Sequence, residues 1–397
     1  MNNLIGASLL LGSAIAAAPQ AEAPRANLAR ACVQAFDATA DYFPDKISIE
    51  DAANFAVSYH RSYKVVTIRE TPSGDPAETY VLVQCGTPTP ALTGALAGAA
   101  VATVPVTSFY AGSTTHVPLL TDLGRLDVLT GVARLKDLTG DAIQARVRAG
   151  KVREFAPVSV VDAELIVSQR PGLVMAGGTP SGSLTALRSA GVPVVANTEW
   201  LEPTALARAE WIKYLALFLN EERAAQRIHG EAKVRYRALS ARATAVSDAR
   251  KPLVMTGRGS SGSFVIAGGR SYVAALIRDA GGRYVWADDT AVGTRTIDLE
   301  AQIHRASNAD VWINGGGWRD LEAMVEDEPR YGVFKAYRQR QVWVYERRVS
   351  ASGANDYWSR SASHPDLVLA DLVKIFHPGL LPAHTFEWYK PVPERHR

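Results

Sequence analysis

A short glycine- and serine-rich stretch carries the first pattern in this sequence that is typical of chemistry. Residues 254–264 read VMTGRGSSGSF, and Gly257, Gly259 and Gly262 have the G-x-G-x-x-G spacing of a dinucleotide-binding loop. Such a loop binds pyrophosphate where a strand enters and a helix leaves, because the phosphates lie on the first amides of that helix. The preceding KPLVMT is typical of a buried strand, but the following SFVIAGGR is too β-branched and glycine-rich for a first helical turn. Helical periodicity begins only at Ser271, so we expect neither a nucleotide site nor a nicotinamide cofactor here.

The remaining residues that perform chemistry are sparse. His116 follows a strand-like segment and Ser113, Thr114 and Thr115, where an acid–base or metal role is a minor alternative. The chain contains no H-E-x-x-H or G-x-S-x-G motif, and no nucleophile has an evident base. We therefore predict no catalytic residue, no metal site, no cofactor and no enzyme activity.

The composition is that of an exported globular protein. The chain has 397 residues, of which 47% are hydrophobic and 21% charged, enough for two domains with their own cores. An apolar block at 4–18 precedes the A-x-A pattern Ala21-Glu22-Ala23, which predicts a signal peptide over residues 1–23. A membrane anchor is the alternative, but the block is short for a span.

The net charge and the cysteine content limit the possible binding partners and the cellular compartment. Removing Glu22 with the signal moves the formal net charge from +3 to +4, which does not indicate a nucleic-acid partner. The two cysteines, Cys32 and Cys85, predict one disulfide in an exported chain, with two buried thiols as the alternative. No cysteine directly follows the apolar block, so we expect a free periplasmic protein without a lipid anchor.

The pattern of segments predicts four regions after the signal. Residues 24–100 contain paired-strand signals such as YKVVTIRET and form a β-rich extension. Residues 101–201 alternate buried strands and helices, apart from a long helix-like run LLTDLGRLDVLTGV, and residues 250–397 alternate again. Between them, residues 202–249 include a stretch from Ala205 to Val246 that has helical periodicity and no proline. We expect one long helix joining two α/β lobes with mainly parallel sheets, and two helices broken near Gly230 are the alternative.

Polar turns at the carboxyl ends of the expected strands mark the ligand position, because ligands of open parallel sheets bind there. Arginines in these turns can pair with carboxylate, catecholate or phosphate oxygens, and aromatic residues can contact a large planar ligand. Arg347 is alternatively a solvated residue, and Trp358 is alternatively a core anchor. We predict ten ligand-binding residues in or beside the turns: Tyr110, Thr115, His116, Gly178, Arg258, Ser260, Trp318, Arg319, Arg347 and Tyr357.

Several segments in combination resemble the periplasmic substrate-binding proteins of ABC importers for iron-siderophores and cobalamin. They include EPTALARAEWIKYLALFLN, NDYWSRSASHPDLVLADLVKIFHPGLL and DLEAQIHRASNADVWING. The resemblance implies two lobes joined by a rigid helix, with a ligand held between them and delivered to a dimeric permease. It also implies that one glutamate on each lobe docks with the permease. Glu164 and Glu300 lie at the matching positions, in the repeated contexts VVDAELIV and TIDLEAQI.

The expected function is capture of a ferric-siderophore-type chelate by a periplasmic monomer. The arginines in the turns favour this anionic ligand over cobalamin, another corrinoid or haem, which remain alternatives. The alternative from another class is an exported two-lobed α/β enzyme or metallochaperone that uses His116, or the glycine-rich loop with a nucleotide.

Overall fold

The N-terminal region is built on a small sheet, as its β-branched segments predict. The computed structural model describes residues 24–69, 78–180, 182–260 and 262–395, and the predicted signal segment 1–23 lies outside them. Four strands form the sheet: β1 (Phe55–Tyr59), β2 (Tyr63–Ile68), β3 (Glu78–Gln84) and β4 (Ala100–Val104). Strands β1, β2 and β3 are antiparallel neighbours, and β4 adds to β3 in parallel. Strand β4 thus lies across the expected boundary between residues 100 and 101.

The expected disulfide is present in this region. Cys32 and Cys85 are bonded, with their Cα atoms 4.8 Å apart. The amide of Val33 also donates to the carbonyl of Cys85 at 2.9 Å. The bridge therefore fastens the irregular N-terminal segment to the end of β3.

The N-terminal lobe has an all-parallel five-stranded sheet. Its elements are β5 (Phe109–Ala111), α1 (His116–Asp122), β6 (Leu129–Val132), α2 (Asp141–Arg148), β7 (Arg153–Glu154), α3 (Ala163–Gln169), β8 (Leu173–Met175), α4 (Ser183–Ser189) and β9 (Val194–Val195). The strand order is β7-β6-β5-β8-β9. The expectation of a helix through the whole run LLTDLGRLDVLTGV is wrong, because α1 ends at Asp122. Gly124 has a φ of 68° just beyond α1, a left-handed conformation that ends the helix, and the chain then enters β6.

The segment between the lobes consists of three helices, α5 (Ala205–Ala209), α6 (Trp211–Leu217) and α7 (Glu222–Thr244). The long helix α7 has 23 residues, or about 35 Å at 1.5 Å per residue. A single helix over 202–249 is therefore not formed. The break lies at Asn220, which has a φ of 58°, and not near Gly230, which lies inside α7.

A buried polar network explains the break at Asn220. Its side-chain amide donates to the carbonyl of Leu28 at 2.9 Å and to Gln84 Oε1 at 2.8 Å. The fully buried ammonium of Lys64 donates to Asn220 Oδ1 at 2.8 Å and to Glu222 Oε1 at 2.7 Å. Residues of the N-terminal extension thus hold the start of α7, which the local sequence around Asn220 does not reveal.

The C-terminal lobe contains two sheets. Its elements are β10 (Leu253–Thr256), β11 (Arg258–Ser260), β12 (Ser263–Ala267), α8 (Tyr272–Asp279), β13 (Arg283–Tyr284), β14 (Thr294–Asp298), α9 (Leu299–Ala306), β15 (Val311–Ile313), α10 (Leu321–Asp327), α11 (Lys335–Arg338), β16 (Val342–Val344), α12 (Asp356–Arg360), α13 (Pro365–Phe376) and β17 (Lys390–Pro391). The larger sheet has the order β13-β10-β15-β16-β17, parallel except for β17. The smaller sheet is antiparallel, in the order β11-β12-β14.

The glycine-rich motif forms the hairpin β11–β12, with Ser260 paired to Ser263. No helix leaves the motif, because α8 begins after Ser271, whose side chain accepts from the amide of Ala274. The structure therefore agrees with the expectation that this is not a dinucleotide loop.

Two large hydrophobic cores fill the lobes, and α7 contributes to both. One core joins the extension, the N-terminal lobe and α6, and it includes Phe55, Tyr214 and Ala225 of α7. The other fills the C-terminal lobe and includes Tyr236 and Ala243 of α7. The predicted two-lobed α/β fold with mainly parallel sheets is confirmed. Within the described part of the chain, no helix combines the length and apolarity that a membrane span requires.

Replacing both cysteines tests the contribution of the bridge. A Cys32→Ser, Cys85→Ser double variant should lose up to about 4 kcal/mol of unfolding free energy, because the unfolded chain regains the entropy that the crosslink removes. Urea unfolding of oxidised wild type and variant measures the difference. A reductant should lower the midpoint of the wild type alone. Equal midpoints for the two oxidised proteins would contradict a stabilising bridge.

Candidate functional site

The two lobes enclose a cavity of about 810 Å³ between them. Its N-terminal wall contains Thr114, which follows β5, and Arg134 and Asp137, which follow β6. Its C-terminal wall contains turns after β10, β15 and β16 together with residues around α12: Arg258, Gly315, Gly316, Tyr345, Glu346, Val349, Gly353, Ala354, Asn355, Trp358 and Lys390. The cavity therefore lies beyond the carboxyl ends of parallel strands in both lobes, where such sheets bind ligands.

Two further hollows adjoin this interlobe cavity. A hollow of about 690 Å³ in the C-terminal lobe shares Arg258, Gly315, Tyr345 and Trp358 with it. We call this hollow the apolar annex. A smaller hollow of about 230 Å³ in the N-terminal lobe shares Thr114, Arg134 and Asp137 with it.

Direct contacts between the lobes border the interlobe cavity. Thr139 Oγ1 donates to Asp356 Oδ1 at 2.9 Å, and Ser352 Oγ donates to the carbonyl of Lys136 at 2.9 Å. Ser363 Oγ donates to Asp122 Oδ2 at 3.0 Å. These contacts hold the lobes together beside α1 and α12, so the spacing of the cavity walls does not depend on α7 alone.

Arg258 is the best-positioned cation of the C-terminal wall. Its Nη1 donates to the carbonyl of Gly316 at 3.0 Å, and its Nη2 donates to Asp327 Oδ2 at 3.3 Å. Its guanidinium lies over the ring of Trp318, 5.1 Å from the centroid. Gly317, with a φ of 77°, makes this approach possible, because a Cβ there would lie 2.2 Å from Arg258 Nη1. The NGGGW turn therefore orients the guanidinium.

Arg134 is the corresponding cation of the N-terminal wall. Its Nε donates to Asp137 Oδ2 at 2.5 Å and its Nη1 lies 3.4 Å from Ser159 Oγ. About two fifths of the side chain is exposed. Each lobe thus presents one arginine to the same cavity.

Aromatic side chains form the wall between the interlobe cavity and the apolar annex. Tyr357 stacks on Tyr345 with ring centroids 4.5 Å apart, and Trp358 packs edge-on to Tyr345 at 5.0 Å. Trp358 is 46% exposed and lines both spaces, so it is not the fully buried core anchor that the sequence offered as an alternative.

Three predicted contacts in the N-terminal lobe lie outside these spaces. Tyr110 is buried in β5 and stacks on Phe155 with centroids 5.5 Å apart. Thr115 is buried against Ser113 Oγ, and the neighbouring Thr114 lines the cavity instead. His116 is fully buried beside Phe109, and burial lowers its pKa to about 3. These side chains point into the lobe, because the strand and helix that carry them use them for the core.

Four other residues that we predicted as ligand contacts, Gly178, Trp318, Arg319 and Arg347, also lie outside the hollows. Gly178 lies in the turn after β8, where its carbonyl accepts from the amide of Asn197 at 3.4 Å. Trp318 is buried and supports Arg258 from beneath. Arg319 has a side chain that is 75% exposed and pairs with Asp320, and Arg347 is also exposed. None of these four lines the three hollows, whereas Arg258 and Tyr357 do. Ser260 is the last residue of β11.

Sequence reasoning missed several residues that line these spaces: Arg134, Asp137, Trp200, Tyr272, Tyr345, Glu346 and Lys390. The carboxyl-end rule identifies Arg134 once Leu129–Val132 is recognised as a strand, but we expected a helix there. Tyr345 and Glu346 directly follow β16, and the same rule includes them. Trp200 lies between the lobes, and no local pattern marks it.

A cluster of possible metal ligands lies outside the cleft. Asp51, Glu210 and His229 have ligand atoms within 4.8 Å of one another. The ammonium of Lys233 is 2.6 Å from Asp51 Oδ2, and that of Lys213 is 2.6 Å from Glu210 Oε1. Because two cations already neutralise the carboxylates, this cluster is an ion-pair network that joins the extension to α6 and α7.

The repeated acids occupy equivalent positions in the two lobes. Asp162 Oδ1 accepts from the amide of Leu165 at 2.9 Å and caps α3, and Asp298 Oδ1 caps α9 through Ala301 at 2.6 Å. Glu164 and Glu300 are the second residues of these helices, and both are exposed. The repeat is therefore a structural equivalence between the lobes.

Two α/β lobes around a cavity lined at strand ends define a two-lobed binding protein. The chain belongs to the periplasmic binding protein family, whose model matches residues 111–349. Members are solute-binding proteins rather than enzymes, are periplasmic or extracellular, and bind a small ligand and interact with ABC permeases.

Comparison with individual proteins agrees with this family. An uncharacterized lipoprotein of Methanocaldococcus jannaschii is 28% identical over 232 residues, which are 58% of this chain and 53% of the relative. The chain thus spans about half the length of that curated relative.

Two solved structures share the fold. A periplasmic heme-binding protein from Pseudomonas aeruginosa has a TM-score of 0.54 and 17% identity over 74% of this chain and 100% of its own. A structure described as an ABC-type Fe3+-hydroxamate transport system from Saccharomonospora viridis has a TM-score of 0.52 and 18% identity over 69% and 94%.

The burial of His116 predicts a specific dependence of stability on pH. The folded-state pKa of about 3 lies below the unfolded value of 6.5, so acid protonates the unfolded chain first. His116 should therefore cost the folded state about 1.4 kcal/mol per pH unit as the pH falls from 6.5 towards 3, with no cost above 6.5. The free energies of unfolding of the wild type and of His116→Leu are measured from about pH 7 down to about pH 4. As the pH falls, the variant should become increasingly more stable than the wild type. Parallel curves would contradict the buried neutral imidazole.

Proposed function

We propose that this protein is a periplasmic solute-binding protein that captures a ferric-siderophore-type iron chelate between its lobes. It then delivers the chelate to an inner-membrane ABC importer. The observation that carries the proposal is that Arg134 and Arg258, from different lobes, line one cavity of about 810 Å³. Ligand pockets commonly measure about 300–1,000 Å³.

The charge distribution of the interlobe cavity supports an anionic ligand. The cavity is lined by three cationic side chains, Arg134, Arg258 and Lys390. It is also lined by two carboxylates, those of Asp137 and Glu346. Arg134 pairs with Asp137 and Arg258 pairs with Asp327, so an anionic ligand shares these arginines with the acids of the protein. Glu346 accepts from the amide of Gly317 at 2.6 Å. Guanidinium groups pair well with hydroxamate, catecholate and carboxylate oxygens.

The aromatic wall favours a second candidate ligand class, haem or a corrinoid such as cobalamin. Tyr345, Tyr357 and Trp358 offer flat apolar contact to a macrocycle. The structural neighbours described as binding heme and a ferric hydroxamate are compatible with either class. An enzyme or metallochaperone based on His116 lacks support, because that imidazole is buried outside the cavity.

The docking part of the proposal assigns Glu164 and Glu300 to contacts with basic pockets of a permease dimer. Two equivalent acids on two lobes suit a two-fold partner, and linked contacts strengthen each other. The glutamates differ in their present partners. Arg330 pairs with Glu300 and, at 2.7 Å, with Glu328, whereas Glu164 has no ion pair among the described residues. Docking through Glu300 therefore requires exchange of Arg330 for a permease cation.

The location and assembly belong to the same proposal. A signal peptide over residues 1–23 and the Cys32–Cys85 disulfide suit an oxidising compartment such as the periplasm. We propose that the mature protein acts there as a monomer.

Arginine variants test the ligand site. Arg134→Ala and Arg258→Ala should each weaken binding of the ferric chelate by about 1–2 kcal/mol, or roughly five- to thirtyfold, because a charge-assisted contact is lost. Isothermal titration with ferric trihydroxamate, tricatecholate and citrate chelates measures this, with haem and cobalamin titrated alongside. Arg319→Ala, an exposed arginine outside the cavity, is the matched control. Saturation by haem or cobalamin alone, or unchanged affinities, would overturn the proposed ligand or its site.

Glutamine variants test docking separately from binding. Glu164→Gln, Glu300→Gln together should leave the ligand dissociation constant unchanged and reduce uptake of a radiolabelled iron chelate by at least about tenfold, since both linked contacts are weakened. Each single variant should have a smaller effect. Glu231→Gln, an exposed acid on α7, is the control. Normal uptake by the double variant would remove these residues from the docking surface.

A further inference from the structure

The interlobe cavity and the apolar annex differ in charge. Five charged side chains line the cavity: Arg134, Asp137, Arg258, Glu346 and Lys390. Among the described residues that line the annex, Arg258 alone is charged, and it lies at the junction of the two spaces. A ligand that occupies both spaces therefore meets a charged half and an uncharged half.

Aliphatic and aromatic side chains form most of the annex surface. Val265 of β12 and Val273 of α8 face it, together with Val292 from the segment before β14. Trp200, Tyr272, Tyr357 and Trp358 complete this wall. Its volume of about 690 Å³ is large enough for a substantial hydrocarbon group.

Three polar side chains of the annex have hydrogen-bond partners within the protein. Thr256 Oγ1 bonds with the hydroxyl of Tyr284 at 3.0 Å, and Ser271 Oγ donates to the carbonyl of Gly268 at 2.7 Å. Asn314 Oδ1 accepts from the hydroxyl of Tyr389 at 2.6 Å. Because these groups already have partners, a ligand in the annex gains more binding free energy from burial of apolar surface than from additional hydrogen bonds.

Trp200 adds exposed apolar surface to the annex, close to the start of the helical segment that connects the lobes. It precedes α5, is 45% exposed, and lies opposite Gly293, where a Cβ would be 3.8 Å from its ring. An exposed indole beside an apolar hollow is typical of a ligand contact.

We infer that the ligand is an amphiphile, with an anionic metal-chelating head in the interlobe cavity and a hydrocarbon appendage in the apolar annex. This inference rests on the proposed function and specifies its ligand class. Arg258 anchors the head at the junction, and the annex selects chelates that carry an acyl chain over the same chelate without one.

A matched pair of chelates tests the inference. A ferric tricatecholate chelate that carries an N-acetyl group and the same anionic chelate with an N-octanoyl group in its place are titrated into the protein by calorimetry. Each buried methylene favours binding by about fourfold, so the octanoyl chelate should bind at least about thirtyfold more tightly even when only part of the chain is buried. Trp200→Ala and Val292→Asp should each reduce this advantage by at least about fivefold and leave the parent chelate unaffected. Val234→Asp, an exposed change on α7 outside the annex, is the matched control.

The outcomes separate the inference from the proposed function. Equal affinities of the two chelates for the wild type, or an advantage that persists in both annex variants, would overturn the inference while parent binding upholds the proposed function. Failure of both chelates to bind would overturn the proposed ferric-chelate ligand and the inference with it.

Discussion

Helix α7 belongs to two hydrophobic cores at once, and this sharing fixes the relative position of the lobes. Its first half packs Ala225 into the core of the N-terminal lobe, and its second half packs Tyr236 and Ala243 into the other core. The buried Lys64–Glu222 pair anchors its start to the N-terminal extension. Because removal of one partner leaves the other charge buried and unpaired, at a cost of about 3–5 kcal/mol, a substitution at Lys64 or Glu222 should destabilise this junction. Helix α7 and the hydrogen bonds between the lobes thus hold the two walls of the interlobe cavity at their present spacing.

The arrangement of the lobes places one arginine from each lobe at the same cavity. Arg134 comes from the end of β6 and Arg258 from the hairpin beyond β10, and each is oriented by acids and carbonyls of its own lobe. Preorganised cations lose little freedom on binding, so more of their attraction to an anion remains as affinity. Glu164 and Glu300 occupy the same position of equivalent helices in the two lobes. One architecture thus accounts for ligand capture between the lobes and for the proposed contacts with a two-fold permease.

Much of the fold follows from sequence periodicity, whereas most of the cavity does not. The alternation of strands and helices, the disulfide and the helix start after Ser271 all follow from local patterns. The break at Asn220 does not, because Lys64 and Gln84, far away in sequence, hold it. The carboxyl-end rule identified the turns after β5, β10, β15 and β16 that line the cavity, but it also selected the turn with Gly178 and missed the one with Arg134. It does not tell which side chain of a turn points inward, so His116 was chosen where Thr114 lines the wall.

Hydrogen–deuterium exchange with and without a saturating ferric chelate tests the central claim that the ligand is held by both lobes. The account predicts protection of amides in both walls together, in the turns after β5 and β6 and in the segments after β15 and β16 that line the cavity. Protection confined to one lobe would contradict it. So would protection confined to the separate hollow between the N-terminal sheet and α4, which Glu78 and Arg188 line.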